Sequence, residues 1–240
     1  MKTAIIMTHW ERQEFFKEII KNLNEQSIKN FDVFIWNNNN NKSRIRHLEN
    51  CKKINKDYRL YIRHYHKNIY GFGRFVMAKH LLENKIKDYN GNDYDKIIFF
   101  DDDQRVTPDF VKFMEENYEE KSYIGYWSFV TNKNYRDRRK CKKGETADYV
   151  GTGGSIIDPS VFRDYDFFET FPGKKFYWIE DICLTLYCKK IGWKTSSLGL
   201  NKKNDYIINI KDKKSLFRKM GGHNSKIKNY EKLKKYYEIN

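Results

Sequence analysis

Short apolar runs alternate with amphipathic stretches through the first hundred residues of the chain. Short runs with apolar residues at 3–8, 31–36 and 59–64 are predicted to be strands. The stretches between and after these runs repeat apolar residues at helical spacing. The helices predicted in this way cover residues 12–26, 43–53 and 73–84. Because strands separated by helices form βαβ units, the pattern predicts an α/β fold with a largely parallel sheet.

The pattern becomes less regular in the second half. Thr107 is a suitable N-cap for a helix predicted over residues 108–117, where proline stands first. A strand is predicted over residues 123–129. The basic cluster at residues 136–143 is then expected to be an exposed loop.

Three further elements follow the basic cluster. Residues 148–158 are expected to form two short extended pieces around a glycine turn. A helix is predicted to open near Trp178 and to stop at Gly192. The last helix is expected over residues 224–238. Its apolar face contains Ile227, Tyr230, Leu233 and Tyr237.

The acidic triplet Asp101, Asp102 and Asp103 is the chemical feature that stands out. It follows the apolar run at residues 96–100, which has the composition of a buried strand. Unpaired charge is costly inside a protein, so the triplet is expected where the strand leaves the sheet. Open α/β sheets bind ligands at that edge, and adjacent carboxylates there suit Mg²⁺ or Mn²⁺ with substrate phosphates. A solvated acidic turn before a helix explains the triplet about as well.

Two neighbouring strand ends and one glycine loop are expected to complete a nucleotide-sized crevice. The strand ends are residues 8–12 and Asn37-Asn38, at the carboxyl ends of the first two strands. The loop is residues 68–74, whose glycines and Arg74 could approach a phosphate at a helix start. A plain turn accounts for those glycines equally well.

A second acidic site, Glu180 and Asp181, stands at the predicted start of a helix. Acids there are ordinarily caps that complement the helix dipole. The preceding aromatic residues 176–178 favour a semi-dry pocket, in which a carboxylate can become a general base. Their flat faces also suit sugar rings.

The length of the chain, the spacing of its cysteines and its net charge indicate what kind of protein this is. The 240 residues suit one substantial domain, and the first apolar run is too short for a signal peptide or membrane anchor. We therefore expect a soluble cytoplasmic protein, whose four cysteines, lacking zinc-site spacing, are free thiols. The net charge of +15 favours acidic partners. No nucleic-acid motif accompanies it, and the charge of the Lys-rich last helix suits either a peripheral membrane contact or a solvated face.

The order of these motifs resembles that of GT-A-type glycosyltransferases, particularly the inverting family 2 group. The resemblance rests on Asp101–Asp103, residues 151–155, residues 178–181 and Gly192-Trp193, and it covers roughly residues 3–195. It implies a Rossmann-like GT-A fold with a mixed, mostly parallel central sheet flanked by helices. It also implies a nucleotide-diphosphate sugar donor, with UDP-sugar favoured, and Mn²⁺ or Mg²⁺ bridging the diphosphate.

The resemblance also implies a role for each motif. The residues implied to bind the donor are Thr8, Arg12, Asn37, Asn38, Asn68, Arg74, Asp101, Asp102, Gly153 and Gly154. The implied metal ligands are Asp103, Asp101 and His223. Asp181 is implied as the base that deprotonates the acceptor hydroxyl, with Glu180 as a supporting contact or the alternative base.

Two departures from the family pattern limit what the resemblance implies. Asn37 or Asn38 stands where many relatives have an acid for the base pocket, which makes the identity of the base less certain. The Q-x-x-R-W signature of processive synthases and transmembrane helices are absent, which favours a soluble transferase that adds a single sugar, a hexose by preference.

The expected division is a nucleotide-binding half at residues 1–107, an acceptor-side half at 108–200 and a C-terminal helical extension at 201–240. The expected acceptor is a glycan, glycoprotein or glycolipid. The alternatives are a nucleotidyltransferase, a basic nucleic-acid-binding protein and a related fold without activity.

Overall fold

The computed structural model describes residues 2–55, 57–83, 86–87, 91–132, 134–199, 206–209 and 222–239, with residues 209 and 222–224 described by their backbone. Its strands are β1 (Thr3–His9), β2 (Phe31–Asn37), β3 (Leu60–His64), β4 (Lys96–Phe99), β5 (Gln104–Val106), β6 (Ser122–Gly125), β7 (Ser128–Thr131), β8 (Arg138–Lys140), β9 (Tyr149–Val150), β10 (Ser155–Ile157), β11 (Lys194–Ser197) and β12 (Ile207–Asn209). Its helices are α1 (Gln13–Asn24), α2 (Lys42–Cys51), α3 (Gly73–Glu83), α4 (Phe110–Glu116), α5 (Glu180–Lys190) and α6 (Gly222–Tyr237).

Seven strands form the central sheet in the order β11-β6-β10-β4-β1-β2-β3. All of them run in the same direction except β10, which is antiparallel to both of its neighbours. The predicted α/β fold with a mixed, mostly parallel sheet is confirmed. Two small sheets accompany it, a ribbon of β5 with β12 and a three-stranded sheet of β8, β7 and β9.

Helices cover both faces of the central sheet. Alternate residues of β1 point to opposite sides: Ala4 and Ile6 pack with α3 and α5, while Ile5 and Met7 pack with α1 and α4. A strand buried on both faces is mostly apolar on both sides, which is why these strands appear in the sequence as largely apolar runs. The core is correspondingly rich in aromatic rings.

The predicted strand over residues 123–129 is wrong, because the chain turns in its middle. Residues 122–125 form β6 of the central sheet, and residues 128–131 form β7 of the small sheet. The hydroxyl of Ser128 donates to the carbonyl of Gly125 at 2.8 Å and closes the turn. Gly125 has no side chain, and a Cβ there would lie 2.4 Å from Val150.

Two other local predictions also differ from the structure. Part of the basic cluster is a strand, since β8 pairs with β7, and the ring of Phe129 lies 4.4 Å beneath the Arg138 guanidinium. Helix α4 begins at Phe110, and Thr107 is not its cap. The carbonyls of Thr107 and Pro108 instead accept hydrogen bonds from Gln26 and Ser27, so tertiary contacts override the local capping preference.

The last helix packs on α5 through the apolar face predicted for it, with Tyr230, Leu233 and Tyr237 buried. Within the described part of the chain, no helix combines the length and apolar character needed to cross a membrane.

Candidate active site

The carboxyl ends of β1, β2 and β4 meet at one edge of the central sheet, where a cleft of about 390 Å³ opens. Ligands of open α/β sheets bind at this edge. The loop before α3, the start of α5 and helix α6 complete the walls. The lining residues are mostly polar or aromatic: Thr8, His9, Trp10, Glu11, Arg12, Asn38, Asn68, Tyr70, Gly71, Arg74, Asp101, Asp102, Asp103, Thr152, Trp178, Glu180, Asp181 and Lys226.

Asp102, the middle acid of the triplet, is buried and neutralised by the protein itself. Its carboxylate accepts a hydrogen bond from Arg12 and lies 3.2 Å from Nδ1 of His9. Burial alone would raise the pKa of this carboxyl, but the contacts with His9 and Arg12 outweigh burial and lower the pKa to about 2. Asp102 therefore anchors the turn after β4 to the end of β1.

Asp101 and Asp103 flank that anchor and reach the cleft, with 36% and 26% of their side chains exposed. Nη2 of Arg74 lies 2.9 Å from Asp101, and Nη2 of Arg12 lies 3.2 Å from Asp103. Burial and repulsion from Asp101 nevertheless raise the pKa of Asp103 to about 7. Among the described side chains, no three His, Cys, Asp or Glu residues converge as a preformed metal site. The two carboxylates form a repelling pair of oxygen donors.

Arg74 connects the two acidic sites of the cleft. Its guanidinium lies 2.9 Å from Asp101 through Nη2 and 3.5 Å from Oε1 of Glu180 through Nε. Burial opposes the charge, but the two carboxylates outweigh it and raise the pKa of Arg74. Its Nη1 is buried without a hydrogen-bond partner in the described part of the chain, so it is a donor that an anion would satisfy.

The loop before α3 passes very close to Glu180. A Cβ on Gly71 would lie 1.9 Å from Oε1 of Glu180, so a larger residue there would displace that carboxylate. Asn38 holds this loop in place. Its Nδ2 donates to the carbonyl of Tyr70 at 2.9 Å, and its Oδ1 accepts from the N–H of Ile69 at 3.0 Å.

Of the three asparagines expected to bind the donor, Asn38 and Asn68 line the cleft, whereas Asn37 is buried beside it. Asn38 lines the cleft, but its amide is occupied by the loop and by Nε1 of Trp36 at 3.1 Å. Asn37 is fully buried, does not line the cleft and lies 2.9 Å from Nδ1 of His64. Asn68 lines the cleft from the loop before α3.

Glu180 and Asp181 form the opposite wall, at the start of α5. Asp181 accepts hydrogen bonds from the Tyr149 hydroxyl, from Nζ of Lys226 at 3.3 Å and from the N–H of Ile182 at 2.9 Å. Burial and the neighbouring Asp181 charge raise the pKa of Glu180 to about 7. The two acids of this divided pair therefore differ in their surroundings. Asp181 accepts hydrogen bonds from three donors, whereas Glu180 holds a proton more tightly than an ordinary glutamate does.

The glycine turn at residues 152–155 lies behind the triplet. A Cβ on Gly153 would lie 2.7 Å from Oδ2 of Asp101, so this glycine leaves room for the carboxylate. Gly154 has a φ of +85°, a conformation that glycine adopts without strain, and its N–H donates to the carbonyl of Phe99 at 2.9 Å.

The structure brings the predicted site residues together in the cleft, with four exceptions. Asn37 is buried beside the cleft, and Gly153 and Gly154 support it from behind. The side chain of His223 lies outside the described residues.

Sequence reasoning missed two residues, Lys226 and Tyr149, that contact Asp181. Lys226 stands four and seven residues before Tyr230 and Leu233, so it shares the apolar face of α6. A lysine on a buried helical face is a signal that points to a partner inside the protein. Tyr149 carried no comparable signal, because its partner is distant in sequence.

No protein-family model matches the sequence, and no curated protein resembles it at a significant level. Solved structures do resemble the fold. S. aureus TarS 1-349 in complex with UDP-GlcNAc matches all of this chain and 66% of its own, with a TM-score of 0.62 and 13% identity. GalNAc-T7 with UDP, GalNAc and Mn²⁺ matches over 98% of this chain and 48% of its own, with a TM-score of 0.59 and 9% identity.

A third solved structure, the mannosyltransferase PcManGT from Pyrobaculum calidifontis with GDP-Man and Mn²⁺, has the same fold. It matches 85% of this chain and 58% of its own, with a TM-score of 0.56 and 9% identity. The chain spans only 38% of the longer S. aureus TarS structure. The protein thus has the GT-A glycosyltransferase fold.

Proposed function

We propose that the protein is a metal-dependent glycosyltransferase that moves a sugar from a nucleotide-diphosphate sugar to an acceptor hydroxyl with inversion. One observation carries the proposal: a single cleft of a GT-A fold contains the repelling pair Asp101 and Asp103 and, across Arg74, the divided pair Glu180 and Asp181. The first pair suits a diphosphate with its cation, and the second suits proton transfer.

The proposed reaction is one in-line displacement at the anomeric carbon. As the acceptor oxygen forms its bond to that carbon, Asp181 takes the hydroxyl proton. The bond from the carbon to the diphosphate oxygen breaks, and its electron pair leaves with the nucleoside diphosphate. Nη1 of Arg74 is buried without a hydrogen-bond partner in the described part of the chain. It donates to the leaving group and stabilises the negative charge that develops there. A single displacement of this kind inverts the configuration.

Asp103 and Asp101 are the residues that would hold the metal ion. They fit this role because both reach the cleft and because burial, together with repulsion from Asp101, raises the pKa of Asp103 to about 7, a repulsion that a bound cation would relieve. Mn²⁺ or Mg²⁺ bound there would offset the charge of the diphosphate. Asp102 is not available to it, since His9 and Arg12 already hold that carboxylate.

The donor is proposed to be a UDP-sugar, since the TarS and GalNAc-T7 structures contain UDP or UDP-GlcNAc. The PcManGT structure contains GDP-Man, so GDP-sugars are the first comparison. The proposed acceptor is a glycan, glycoprotein or glycolipid, and the proposed location is the cytoplasm.

The test is release of nucleoside diphosphate from a panel of UDP-, GDP- and dTDP-sugars with Mn²⁺, Mg²⁺ or EDTA. We expect turnover of one donor that depends on metal and is lost in Asp103→Ala. Asp57→Ala is the matched control, because Asp57 is an exposed acid paired with Lys29 outside the cleft.

Each of the other outcomes contradicts the proposal and points to a different class. Release of pyrophosphate from a nucleoside triphosphate and a sugar phosphate would identify a nucleotidyltransferase. Donor binding without turnover would indicate a fold without activity. Salt-sensitive binding of DNA or RNA without donor binding would indicate a nucleic-acid-binding protein.

A further inference from the structure

The C-terminal helix α6 places a cation inside the cleft. Tyr230, on the same face of the helix, is buried and donates to the carbonyl of Asp148 at 3.3 Å, while Leu233 and Tyr237 are also buried. One turn earlier, Lys226 has a side chain only 12% exposed, and its Nζ lies 3.3 Å from Oδ2 of Asp181. The Asp181 charge outweighs burial and raises the pKa of Lys226, so the ammonium stays protonated.

Two adjacent buried carboxyl groups repel one another, and such a pair tends to share one proton. Catalysis needs the carboxyl that faces the acceptor to be the charged one. The environment of Glu180 and Asp181 must therefore decide which of them keeps the proton.

The groups that face this pair come from several elements. Tyr149 of β9 donates to Asp181, but its own pKa is raised by burial and by Asp181, so it contributes a neutral donor. Arg74 of α3 is 3.5 Å from Glu180 and is closer to Asp101. Two further titratable neighbours in the described part of the chain, Tyr123 of β6 and Cys183 of α5, have pKa values raised by burial and are uncharged.

Within the described part of the chain, Lys226 is the cation that forms an ion pair with Asp181. An opposite charge at this distance favours the charged form of a carboxyl. We propose that Lys226 is a positioning residue that holds a positive charge against Asp181 and orients that carboxylate as the base. The inference rests on the proposed function, and it makes the C-terminal helix part of the active site.

The test compares Lys226→Met with Lys226→Arg. Without the cation, the carboxyl pair loses the partner that favours ionisation of Asp181. The acid limb of the pH profile of kcat should then move to higher pH by about one unit, with the donor KM unchanged. Lys226→Arg keeps a cation and should return the limb toward its original position. Lys228→Met, an exposed position on the same helix, is the control and should leave the profile unchanged.

Two outcomes would overturn the inference. If the acid limb stayed in place while the donor KM rose several-fold, Lys226 would be a donor ligand. If Lys226→Arg behaved like Lys226→Met although both variants melted like the wild type, a cation would not be what the site needs.

A second measurement does not depend on turnover. Reductive ¹³C-methylation of all lysines gives Lys226 a resonance that is identified by its absence in Lys226→Arg. We expect its titration to move to lower pH in Asp181→Asn, because the carboxylate that stabilises the ammonium is gone. Absence of donor turnover by the wild type would contradict the proposed function alone. A Lys226 resonance indifferent to Asp181→Asn would overturn the positioning role.

Discussion

Two acidic clusters, Asp101–Asp103 and Glu180–Asp181, face one another across Arg74. They differ in burial and in the partners of their carboxylates. In the triplet, the buried acid Asp102 is neutralised by His9 and Arg12, and the repelling acids Asp101 and Asp103 reach the cleft. At the start of α5, both acids are buried. There the partners are divided unevenly between Glu180 and Asp181.

We infer from this contrast that the partners of each carboxylate, rather than its residue type, determine the role proposed for it. Asp102 has two basic partners and becomes a structural anchor. Asp103 lies beside another acid and keeps a raised pKa, which suits a cation ligand. Asp181 accepts hydrogen bonds from a lysine, a hydroxyl and a backbone N–H, which fix the orientation of the carboxylate proposed as the base.

The largest expected effect distinguishes the two members of the α5 pair. Asp181→Asn should lower kcat by roughly 10²- to 10⁴-fold, the usual contribution of a general base. Glu180→Gln keeps a neutral, hydrogen-bonding group and should retain most of the rate. Single-turnover transfer assays would measure both variants. The opposite ranking would make Glu180 the base.

The next effect breaks the connection between the clusters. Arg74→Met removes the buried donor that contacts Asp101 and Glu180, which should cost about 1.5–3 kcal/mol of unfolding free energy, the usual range for a hydrogen bond to a charged group. Urea denaturation would measure it, and Lys79→Met, at a half-buried lysine that pairs with Glu83 on the same helix, is the matched control. A loss below about 1 kcal/mol, the value of a surface pair, would contradict a buried bridge.

The third prediction concerns the pH dependence of folding stability, which should have opposite signs for Asp102 and Glu180. The folded-state pKa of Asp102, about 2 against an ordinary 3.8, gives stability that is complete above pH 3.8 and lost as the pH falls toward 2. Asp102→Asn should therefore cost about 2 kcal/mol at neutral pH and much less near pH 2. Its stability would be compared with the wild type by denaturation in EDTA.

Glu180 should show the reverse. Its folded-state pKa, about 7 against an ordinary 4.5, gives a contribution that is complete below pH 4.5 and lost as the pH rises toward 7. Glu180→Gln removes this loss, so the variant should gain stability relative to the wild type across that interval. Parallel pH curves for the two proteins would show that Glu180 titrates normally.

The smallest effect concerns the loop that borders the α5 pair. Gly71→Ala places a Cβ where Glu180 lies and should cost about 1–3 kcal/mol, as overpacking does. In a Glu180→Ala background the same change should cost much less, because the clashing group is gone. Equal costs in both backgrounds, measured by denaturation, would show that the loop rather than the carboxylate resists the side chain.

The sequence allowed the N-terminal half of the fold to be predicted well. Its strands are buried on both faces, so β1, β2 and β4 appear as mostly apolar runs, and the triplet follows the end of β4. The other half follows the pattern less well. The turn between β6 and β7 depends on the close approach of Gly125 to Val150, a contact that no local pattern predicts.

Within the site, the sequence predicted most of the acidic residues in the cleft but not their partners. The triplet and Glu180-Asp181 were visible as local motifs. The contacts that assign them roles join residues far apart in the chain, as His9 with Asp102 and Lys226 with Asp181. Spacing along the chain does not reveal such pairs. A lysine on the apolar face of α6 does indicate that a buried acidic partner is present.

We propose that the acidic triplet binds the donor with its cation, whereas Asp181 acts only in proton transfer. The most direct test is calorimetry of UDP binding with Mn²⁺ to the wild type, Asp103→Ala and Asp181→Asn. We predict that Asp103→Ala loses binding, because Asp103 and Asp101 are the proposed ligands of the cation that accompanies the diphosphate, and that Asp181→Asn binds like the wild type. Equal loss of binding in both variants, or full binding by Asp103→Ala, would contradict this account.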